Sequence, residues 1–371
     1  MTQQIIRRIP YVNLAAQWEV EREQLLPIIE KVLASGQYIG GNFVEQFEHE
    51  AAKRCQTNHC VALNSGTDAL VCGLVALGVM PGDEVITPPN SFIASTAAIA
   101  HLRAKPVFVD VLPDQNIDPS QLERAITPKT KAIMPVHLTG RMARMDAILE
   151  IANKYNIPII EDAAQSIGSK YQGIPSGKWG RVGCFSAHPL KNLNACGDAG
   201  FLVTDDDEID RRVRLMRNHG LVDRNIVEQF GYVSRMDTLQ AAILSYRLTE
   251  LNSVIEKRRK NAHLYQENLD RSKVFFPDDT PDEYNTYHTF VIQVDHRDDL
   301  KDYLASQGIE TSIHYPVPIH LQPAAEYLGY KNGDFTVTEG HAKQILTLPI
   351  HQHLQVDDIL IIARNVNLFF N

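Results

Sequence analysis

The chain has 371 residues, and its 45 Asp and Glu against 36 Lys and Arg give a formal net charge of −9. Apolar residues make up 44% of the chain while Gly and Pro number only 21 and 19, which predicts a large buried core and excludes collagen-like and disordered classes. The acidic balance and the lack of a long basic stretch argue against a nucleic-acid partner.

The chain carries no targeting or membrane signal that we can identify. The longest apolar run, residues 69–80, is too short and too interrupted by glycine to span a bilayer, and the first ten residues lack the apolar stretch of a secretory signal. We therefore expect a cytoplasmic protein with no membrane partner. Its five cysteines are Cys55, Cys60, Cys72, Cys184 and Cys196. Their odd number and the absence of a C-x-x-C pair predict reduced, mostly buried thiols and no metal site.

Short runs rich in Val and Ile alternate with helical patterns between residues 58 and 204. Continuous apolar strands are typical of sheets that are covered on both faces, so this rhythm predicts an α/β fold with a mostly parallel central sheet. The predicted strands are HCVAL, DEVITP, KPVFVD, KAIMPVH, IPIIED, GCFS and GFLVT, with helices near 68–78, 92–102, 119–126 and 143–155. Residues that directly follow such strands lie where open α/β sheets bind ligands.

The pattern changes after residue 206. Helices are predicted at 208–218 and at 236–270, and the second is long enough to bridge two domains. Its basic segment 257–260 is expected to be a solvated face. Beyond it, strands TYHTFVIQV and IETSIHY and helices at 297–307, 337–345 and 356–367 predict a small α/β unit. We therefore predict a large domain over residues 1–245 and a small C-terminal α/β domain over residues 246–371.

The segment NSGTDAL, residues 64–70, follows a strand and opens a helix. Free backbone N–H groups at a helix start can hold a phosphate, and Gly66 would let the ligand approach the backbone closely. Ser, Thr and Asp at a helix start are also ordinary caps, so this motif alone leaves both interpretations open.

The run IPIIEDAAQ ends an apolar strand with two carboxylates, Glu161 and Asp162, which should point to opposite faces. One of them must face inward, where it needs a cationic or hydrogen-bonding partner. A protonated heterocycle nitrogen would be such a partner; a helix or turn cap, or a pair with an arginine, is the alternative.

A lysine follows the next predicted strand. Lys191 comes five residues after Ser186, in a loop punctuated by Gly and Pro. Partial desolvation at the sheet edge would lower its pKa and make it a nucleophile toward an aldehyde, whereas a plain surface charge is the alternative.

A phosphate-binding helix start, a buried carboxylate and a lysine amine are together the three groups that pyridoxal phosphate needs from a protein. No G-x-G-x-x-G or P-loop pattern is present, which argues against a nicotinamide-dependent oxidoreductase. The chain contains, in this order, the motifs IPYVNL, SGQYIGG, NSGTDAL, PVHLTG, IIEDAAQSIG, FSAHPLKNLNACGDAG, SRMDTLQAAIL and HYPVPIHLQP. Together they resemble the motifs of the DegT/DnrJ/EryC1/StrS family of pyridoxal phosphate-dependent nucleotide-sugar aminotransferases.

The resemblance implies a fold-type I, aspartate aminotransferase-like architecture whose large domain binds the cofactor. It implies that Lys191 binds the cofactor covalently and then moves the proton. Asp162 would pair with the pyridine nitrogen, Gln165 would lie near the ring oxygen, and Phe92 would stack on the ring.

By the same resemblance, the phosphate would be held by the backbone N–H groups of Gly66 and Thr67 and by the Ser186 hydroxyl. His320 matches a position that lines the sugar site, and His188 stands where members often have an aromatic residue that faces the substrate. For both, a loop histidine with a purely structural role is the alternative. The family usually has an Asn, reaching across the dimer to the phosphate, where this chain has Val233.

The implied activity is transfer of an amino group from L-glutamate to a keto carbon, with C3 favoured, of a nucleotide-linked deoxy sugar. A homodimer with shared active sites is implied as well. A branch of the family that dehydrates sugars has His at the lysine position, so Lys191 favours transamination. Amination at C4, a cyclitol ketone substrate, and a catalytically silent binding protein on the same fold are the alternatives.

Overall fold

The computed structural model describes residues 7–371. The helices are α1 Leu14–Ser35, α2 Asn42–Cys55, α3 Gly66–Ala76, α4 Ile93–His101, α5 Leu122–Ala125, α6 Met145–Lys154, α7 Asp207–Met216, α8 Thr238–Asn268, α9 Arg297–Ser306, α10 Thr336–Gln344 and α11 Val356–Phe369. The strands are β1 His59–Leu63, β2 Glu84–Thr87, β3 Lys105–Phe108, β4 Thr130–Ile133, β5 Ile160–Asp162, β6 Lys170–Tyr171, β7 Ile174–Pro175, β8 Val182–Ser186, β9 Gly200–Thr204, β10 Glu283–Tyr284, β11 Phe290–Gln293 and β12 Ile345–Leu348.

The central sheet follows the order β3-β2-β4-β5-β8-β9-β1. Its two halves meet beyond β4, where the His137 N–H donates to the Asp162 carbonyl at 3.0 Å and the Asp162 N–H to the Pro135 carbonyl at 2.9 Å. Only β9 runs against its neighbours β1 and β8; the other pairs are parallel. The predicted, mostly parallel sheet is therefore confirmed.

Both faces of the sheet are covered by helices, and the strand residues alternate between them. On β9, Phe201 and Val203 pack with α2 and α8, whereas Leu202 packs with α3 on the other face. Each such side chain contributes roughly 1.5–3 kcal/mol through burial. This two-sided core holds the strand ends, and the loops that follow them, in fixed positions.

A smaller core lies in the C-terminal part of the chain, where β11 and β12 form an antiparallel pair against α9, α11 and the second half of α8. Helix α8 contributes Leu244 and Leu251 to the sheet core and Ala262 and Tyr265 to this second core. The helix thus runs through the predicted boundary at 245/246, and the division into two domains stays a prediction.

The structure differs from the predicted elements in more than one place, and the two-residue strands β6, β7 and β10 were not predicted. Residues 309–315 do not form a regular strand: Ile309 makes an isolated bridge to Ile9 and Ser312 one to Thr347, and β12 pairs with β11 instead. Pro316 and Pro318 lie just beyond this segment and cannot donate to a ladder. Helices α1 and α2 were not predicted.

The cysteines are free, and all but Cys196 are buried, as predicted. Within residues 7–371, no helix is at once long enough and apolar enough to cross a membrane. The same residues contain no group of three or more His, Cys, Asp or Glu side chains placed to hold a metal ion.

Candidate active site

A cavity of about 470 Å³ opens at the carboxyl edge of the central sheet. One wall is formed by residues that follow β1, β5 and β8, and the facing wall by residues from the N-terminal segment, α8 and the C-terminal core. The cavity brings together Gly66, Thr67, Phe92, Asp162, Gln165, Ser186, His188 and Lys191, eight of the nine predicted site residues.

The start of α3 is arranged to bind an anion. The Ser65 hydroxyl caps the helix by accepting from the Asp68 N–H at 3.1 Å, while the N–H groups of Gly66 and Thr67 have no acceptor among the described residues. A Cβ at Gly66 would lie 2.6 Å from the Cβ of Ser186, so the helix start touches the end of β8. The two free N–H groups and the side chain of Ser186 therefore lie close together at the helix start, where the helix dipole favours negative charge.

Asp162 ends β5 and is 4% exposed. One carboxylate oxygen accepts from the Ser95 hydroxyl at 2.6 Å and the other from the Ala164 N–H at 3.2 Å. Burial raises the pKa of Asp162, opposed in part by these hydrogen bonds and by the charge of Lys191. A cationic ring nitrogen in the cavity would compensate this buried carboxylate.

Glu161 points to the other face of β5, as the alternation predicted, yet it is fully buried too. Its carboxylate accepts from His137 Nε2 at 2.9 Å and from the N–H groups of Gly177 and Gly180 at 2.8 and 2.7 Å. His137 Nδ1 accepts from the Ala143 N–H, which leaves Nε2 as the protonated nitrogen. Glu161 thereby ties the turn before β8 to the back of the strand that carries Asp162.

Lys191 lies in the loop after β8 and lines the same cavity as Asp162. Its side chain is half-buried, and its Nζ has no hydrogen-bond or ion-pair partner within residues 7–371. Burial lowers the pKa of Lys191 to about 8, against the opposing effect of Asp162. A larger fraction of this amine is therefore neutral near neutral pH than for an ordinary lysine, which suits a nucleophile and a proton carrier.

Gln165 and Phe92 border the space between Asp162 and the facing wall. The Gln165 carbonyl accepts from the Thr139 N–H at 2.8 Å, and its amide donates to the Tyr315 hydroxyl at 3.4 Å. The Phe92 ring, 54% exposed, lies with its centroid 5.8 Å from that of Tyr315. Both side chains are thus available to contact a flat ligand.

The two predicted substrate histidines have different surroundings. His188 is exposed and lines the cavity, with its Nδ1 accepting from the Leu190 N–H. His320 is not brought to the cavity: it is 2% exposed, its Nε2 lies 3.0 Å from Glu339, and its ring packs edge-on against Phe335. A substrate contact by His320 stays a prediction without support from this geometry.

Several residues that line the cavity were not identified from the sequence. One of them, Arg258, also contradicts the expectation that the basic segment 257–260 is a solvated face. It was expected on a solvated face, but it is 7% exposed and lines the cavity. The missed signal is its helical spacing from Ala262 and Tyr265, which face the core. Tyr11, His288, His314 and Tyr315 also line the facing wall.

The residues present fit pyridoxal phosphate. The free N–H groups at Gly66 and Thr67 suit its phosphate, the buried Asp162 carboxylate suits its protonated ring nitrogen, and the Lys191 amine suits its aldehyde. Val233, which stands where an Asn was expected to reach across a dimer, is 55% exposed and does not line this cavity.

Comparison with known proteins agrees with this geometry. The sequence pattern of the DegT/DnrJ/EryC1/StrS aminotransferase family matches residues 19–367. The chain is 40% identical to the pleiotropic regulatory protein of Geobacillus stearothermophilus, over 98% of each chain. It is 41% identical to a dTDP-3-amino-3,4,6-trideoxy-alpha-D-glucose transaminase of Streptomyces venezuelae, over 94% of this chain and 92% of that protein. It is 35% identical to the 3-oxo-glucose-6-phosphate:glutamate aminotransferase of Bacillus subtilis, over 91% of this chain and 78% of that protein.

Solved structures are similar over the same extent. The crystal structure of S. venezuelae DesV has a TM-score of 0.95 at 40% identity and covers 98% of each chain. That of B. subtilis NtdA, with bound cofactor PMP, has a TM-score of 0.90 at 34% identity over 99% of this chain and 87% of that one. The likeness thus extends across the cavity and both cores.

Proposed function

Because the chain belongs to the DegT/DnrJ/EryC1/StrS aminotransferase family, we propose that it transfers the amino group of L-glutamate to the C3 keto carbon of a nucleotide-linked deoxy sugar. The enzyme is a pyridoxal phosphate-dependent sugar aminotransferase. The carbon position, the donor and the nucleotide are the parts that we add.

Two relatives support these additions. The S. venezuelae relative is named for a dTDP sugar that carries its amino group at C3. The B. subtilis relative is named for a 3-oxo sugar and for glutamate, although its sugar carries a phosphate rather than a nucleotide. Both names place the reacting carbon at C3, and one names the donor.

Transamination needs a proton to leave one carbon and return to another, and the bound cofactor supplies the electron sink that makes this carbon acid strong enough. We assign the proton transfer to Lys191 Nζ, since its lowered pKa leaves a substantial neutral fraction able to accept a proton. This unpaired, half-buried amine, in the same cavity as Asp162, is the observation that carries the proposal. In the donor half-reaction Nζ takes the proton from the α-carbon of glutamate; with the keto sugar it returns a proton to the sugar carbon.

The other site residues hold and orient the cofactor. We assign the phosphate to the N–H groups of Gly66 and Thr67 and the hydroxyl of Ser186, and the ring nitrogen to Asp162. The Ser95 hydroxyl holds one carboxylate oxygen of Asp162 and so fixes the direction in which the other can pair.

We also propose that the enzyme is a homodimer. The segment 221–233 exposes a row of apolar side chains: Val222 48%, Ile226 57%, Val227 51%, Phe230 101%, Tyr232 52% and Val233 55%. So many exposed apolar side chains on one short segment are unfavourable on a monomer, and a second copy would cover them. Sedimentation should give twice the chain mass, and Phe230→Asp should shift the protein toward monomer while a surface change elsewhere, Val20→Asp, should not.

The donor assignment is tested by the visible absorption of the cofactor-loaded enzyme. L-Glutamate alone should remove the absorption band of the lysine-bound cofactor, with 2-oxoglutarate formed in proportion to sites. Lys191→Ala should abolish this response, and Lys178→Ala, which removes a lysine paired with Asp205 at the surface, should not. A yellow enzyme that ignores glutamate would overturn the donor assignment.

The carbon assignment is tested separately. Enzyme preloaded with the amino group should react with 3-keto rather than 4-keto nucleotide sugars, and NMR of the product should place nitrogen on C3. Turnover of a 4-keto sugar alone would replace C3 by C4 and leave the rest of the proposal standing.

A further inference from the structure

Arg258 is a buried cation on the cavity wall that has no acidic partner. We propose that Arg258, with the hydroxyl of Tyr11, binds the carboxylate of the amino donor; this rests on the donor half of the proposed function. The ligand is thus a carboxylate, attached to the same carbon as the amino group that is removed.

The guanidinium is only partly satisfied by the protein. Nη1 donates to the carbonyls of Tyr287 and His288 at 3.3 and 3.1 Å, whereas Nε is buried with no hydrogen-bond partner. Within residues 7–371, no carboxylate forms an ion pair with Arg258, and the titratable group near it is the neutral hydroxyl of Tyr11. A buried charge left in this state is unfavourable until an anion pairs with it.

The other buried arginines show what this protein does with such a charge. Each pairs with a carboxylate in the described part of the chain: Arg141 with Asp279 and Glu283, Arg247 with Glu21, and Arg297 with Asp298. Arg258 is as buried as these three but lacks the carboxylate. The difference indicates that its anion comes from outside the chain.

Arg258 is also the charged side chain on the facing wall of the cavity. Burial lowers the pKa of Arg258 only to about 10, so it stays charged near neutral pH. Burial lowers the pKa of His314 and of His351 to about 4, and it lowers the pKa values of His288 and His353 as well, so these neighbours are neutral there. Among residues 7–371, the wall therefore presents one fixed positive charge in the midst of neutral hydrogen-bonding groups.

The position favours a donor carboxylate over a sugar-linked diphosphate. Arg258 Nη1 donates to the His288 carbonyl at 3.1 Å, and the charge of Lys191 also acts on His288, so both cations lie near this residue. In an amino acid the carboxylate and the reacting amine share one carbon, so an anion site must lie beside the lysine. In a nucleotide sugar the diphosphate is separated from the keto carbon by part of the ring and the anomeric oxygen, which carries it farther away.

The test compares two arginines of the same helix. Arg259 donates to the Asn285 carbonyl and lies over the Tyr284 ring, and it does not line the cavity. The variants are Arg258→Lys, Arg258→Gln, Tyr11→Phe and, as the control, Arg259→Lys. Binding is measured by calorimetric titration of the cofactor-loaded proteins with glutarate, a dicarboxylate without an amino group. Absorption is used to follow two half-reactions, one with glutamate and one with the 3-amino nucleotide sugar.

We expect glutarate affinity and the rate with glutamate to fall at least tenfold in both Arg258 variants and about threefold in Tyr11→Phe. The amino-sugar half-reaction and all values for Arg259→Lys should change less than twofold. Should Arg258→Gln not fold, Arg258→Lys and Tyr11→Phe carry the test. Glutarate affinity within twofold of the parent in these variants would overturn the proposal, as would an equal loss in both half-reactions. If the parent ignores glutamate but Arg258→Lys still weakens glutarate binding, the donor assignment fails and the carboxylate site stands.

Discussion

Replacing Gly66 by alanine tests whether the contact between α3 and β8 forms the phosphate site. The added Cβ would lie 2.6 Å from the Cβ of Ser186 and 3.0 Å from its Cα, where ordinary contacts begin near 3.4 Å. Ser186 cannot withdraw by changing its rotamer, because its Cβ and backbone are the obstacle and β8 is paired with β9 at this position. The helix start must therefore move by about 1 Å.

A shift of this size separates the two halves of the anion site. Hydrogen bonds lengthened by about 1 Å pass beyond 3.5 Å and are lost. Each hydrogen bond to a charged group contributes about 1.5–3 kcal/mol, so loss of two weakens cofactor binding by about 3–6 kcal/mol, or at least a hundredfold in Kd. Overpacking should also lower the free energy of unfolding by about 1–3 kcal/mol.

The assay is a titration of cofactor-free enzyme with pyridoxal phosphate and, separately, with pyridoxal. Gly66→Ala should weaken binding of the first and leave that of the second nearly unchanged. Gly340→Ala is the matched control, since it lies in α10 with nothing within 4 Å of its added Cβ. A Kd for pyridoxal phosphate within threefold of the parent would refute the reasoning, as would an equal loss for pyridoxal.

Three further predictions concern the buried titratable groups. In the cofactor-free enzyme, competitive acetylation should show Lys191 reacting with a midpoint near pH 8, because burial lowers its pKa to about 8; a midpoint above 10 would contradict this. Asp162→Asn should still bind the cofactor but slow the donor half-reaction by roughly two orders of magnitude in stopped-flow absorption, because an amide cannot keep the ring nitrogen protonated; a rate within fivefold of the parent would exclude that role. Glu161→Gln should lower the free energy of unfolding in urea by about 2–4 kcal/mol, because an NH₂ group then faces a donor from His137, Gly177 or Gly180; an unchanged midpoint would contradict it.

The free energy of unfolding of the cofactor-free enzyme should depend on pH, and the pKa shifts of Asp162 and Lys191 determine whether it rises or falls. The pKa of Asp162 is raised in the folded state, so the folded protein holds this proton to higher pH than the unfolded chain, and stability falls as pH rises through that range. Lys191 has a lowered pKa, so between pH 8 and 10 the unfolded chain binds more protons and stability rises with pH. Urea midpoints of the parent and of Asp162→Asn should diverge as pH increases from 4; parallel curves would contradict the burial argument.

The central sheet could be predicted because each strand is a short, continuous apolar run, as two-sided burial requires. The reversed direction of β9 could not, since Gly200–Thr204 has the composition of a parallel strand. Helix α1 was missed because its apolar residues do not form one face: Leu25 and Val32 are buried, but Leu26 and Leu33 are exposed.

The cofactor side of the site was predictable for a different reason. Its phosphate, acid and amine motifs are each local, and each directly follows a strand, so spacing alone brings them to one edge. The facing wall is assembled from Tyr11, Arg258 and His288, which are far apart in the chain. Tyr11 lies in the motif IPYVNL, but nothing in that motif links it to the other two residues. His320 was expected at the substrate site from its segment, but its partner Glu339 lies nineteen residues further on and could not be inferred.

The division of the cavity between two walls bears on how such an enzyme can diverge. The phosphate, ring and amine positions are set by the sheet edge, where Gly66 and Ser186 touch and Glu161 ties down the turn before β8. The facing wall depends on segments that contribute nothing to that contact. Arg258 and Tyr11 on this wall serve the shared amino donor, but substitutions among its other residues can exchange one keto substrate for another while that contact is kept. A single scaffold can thus acquire new sugars while its common chemistry stays under unchanged selection.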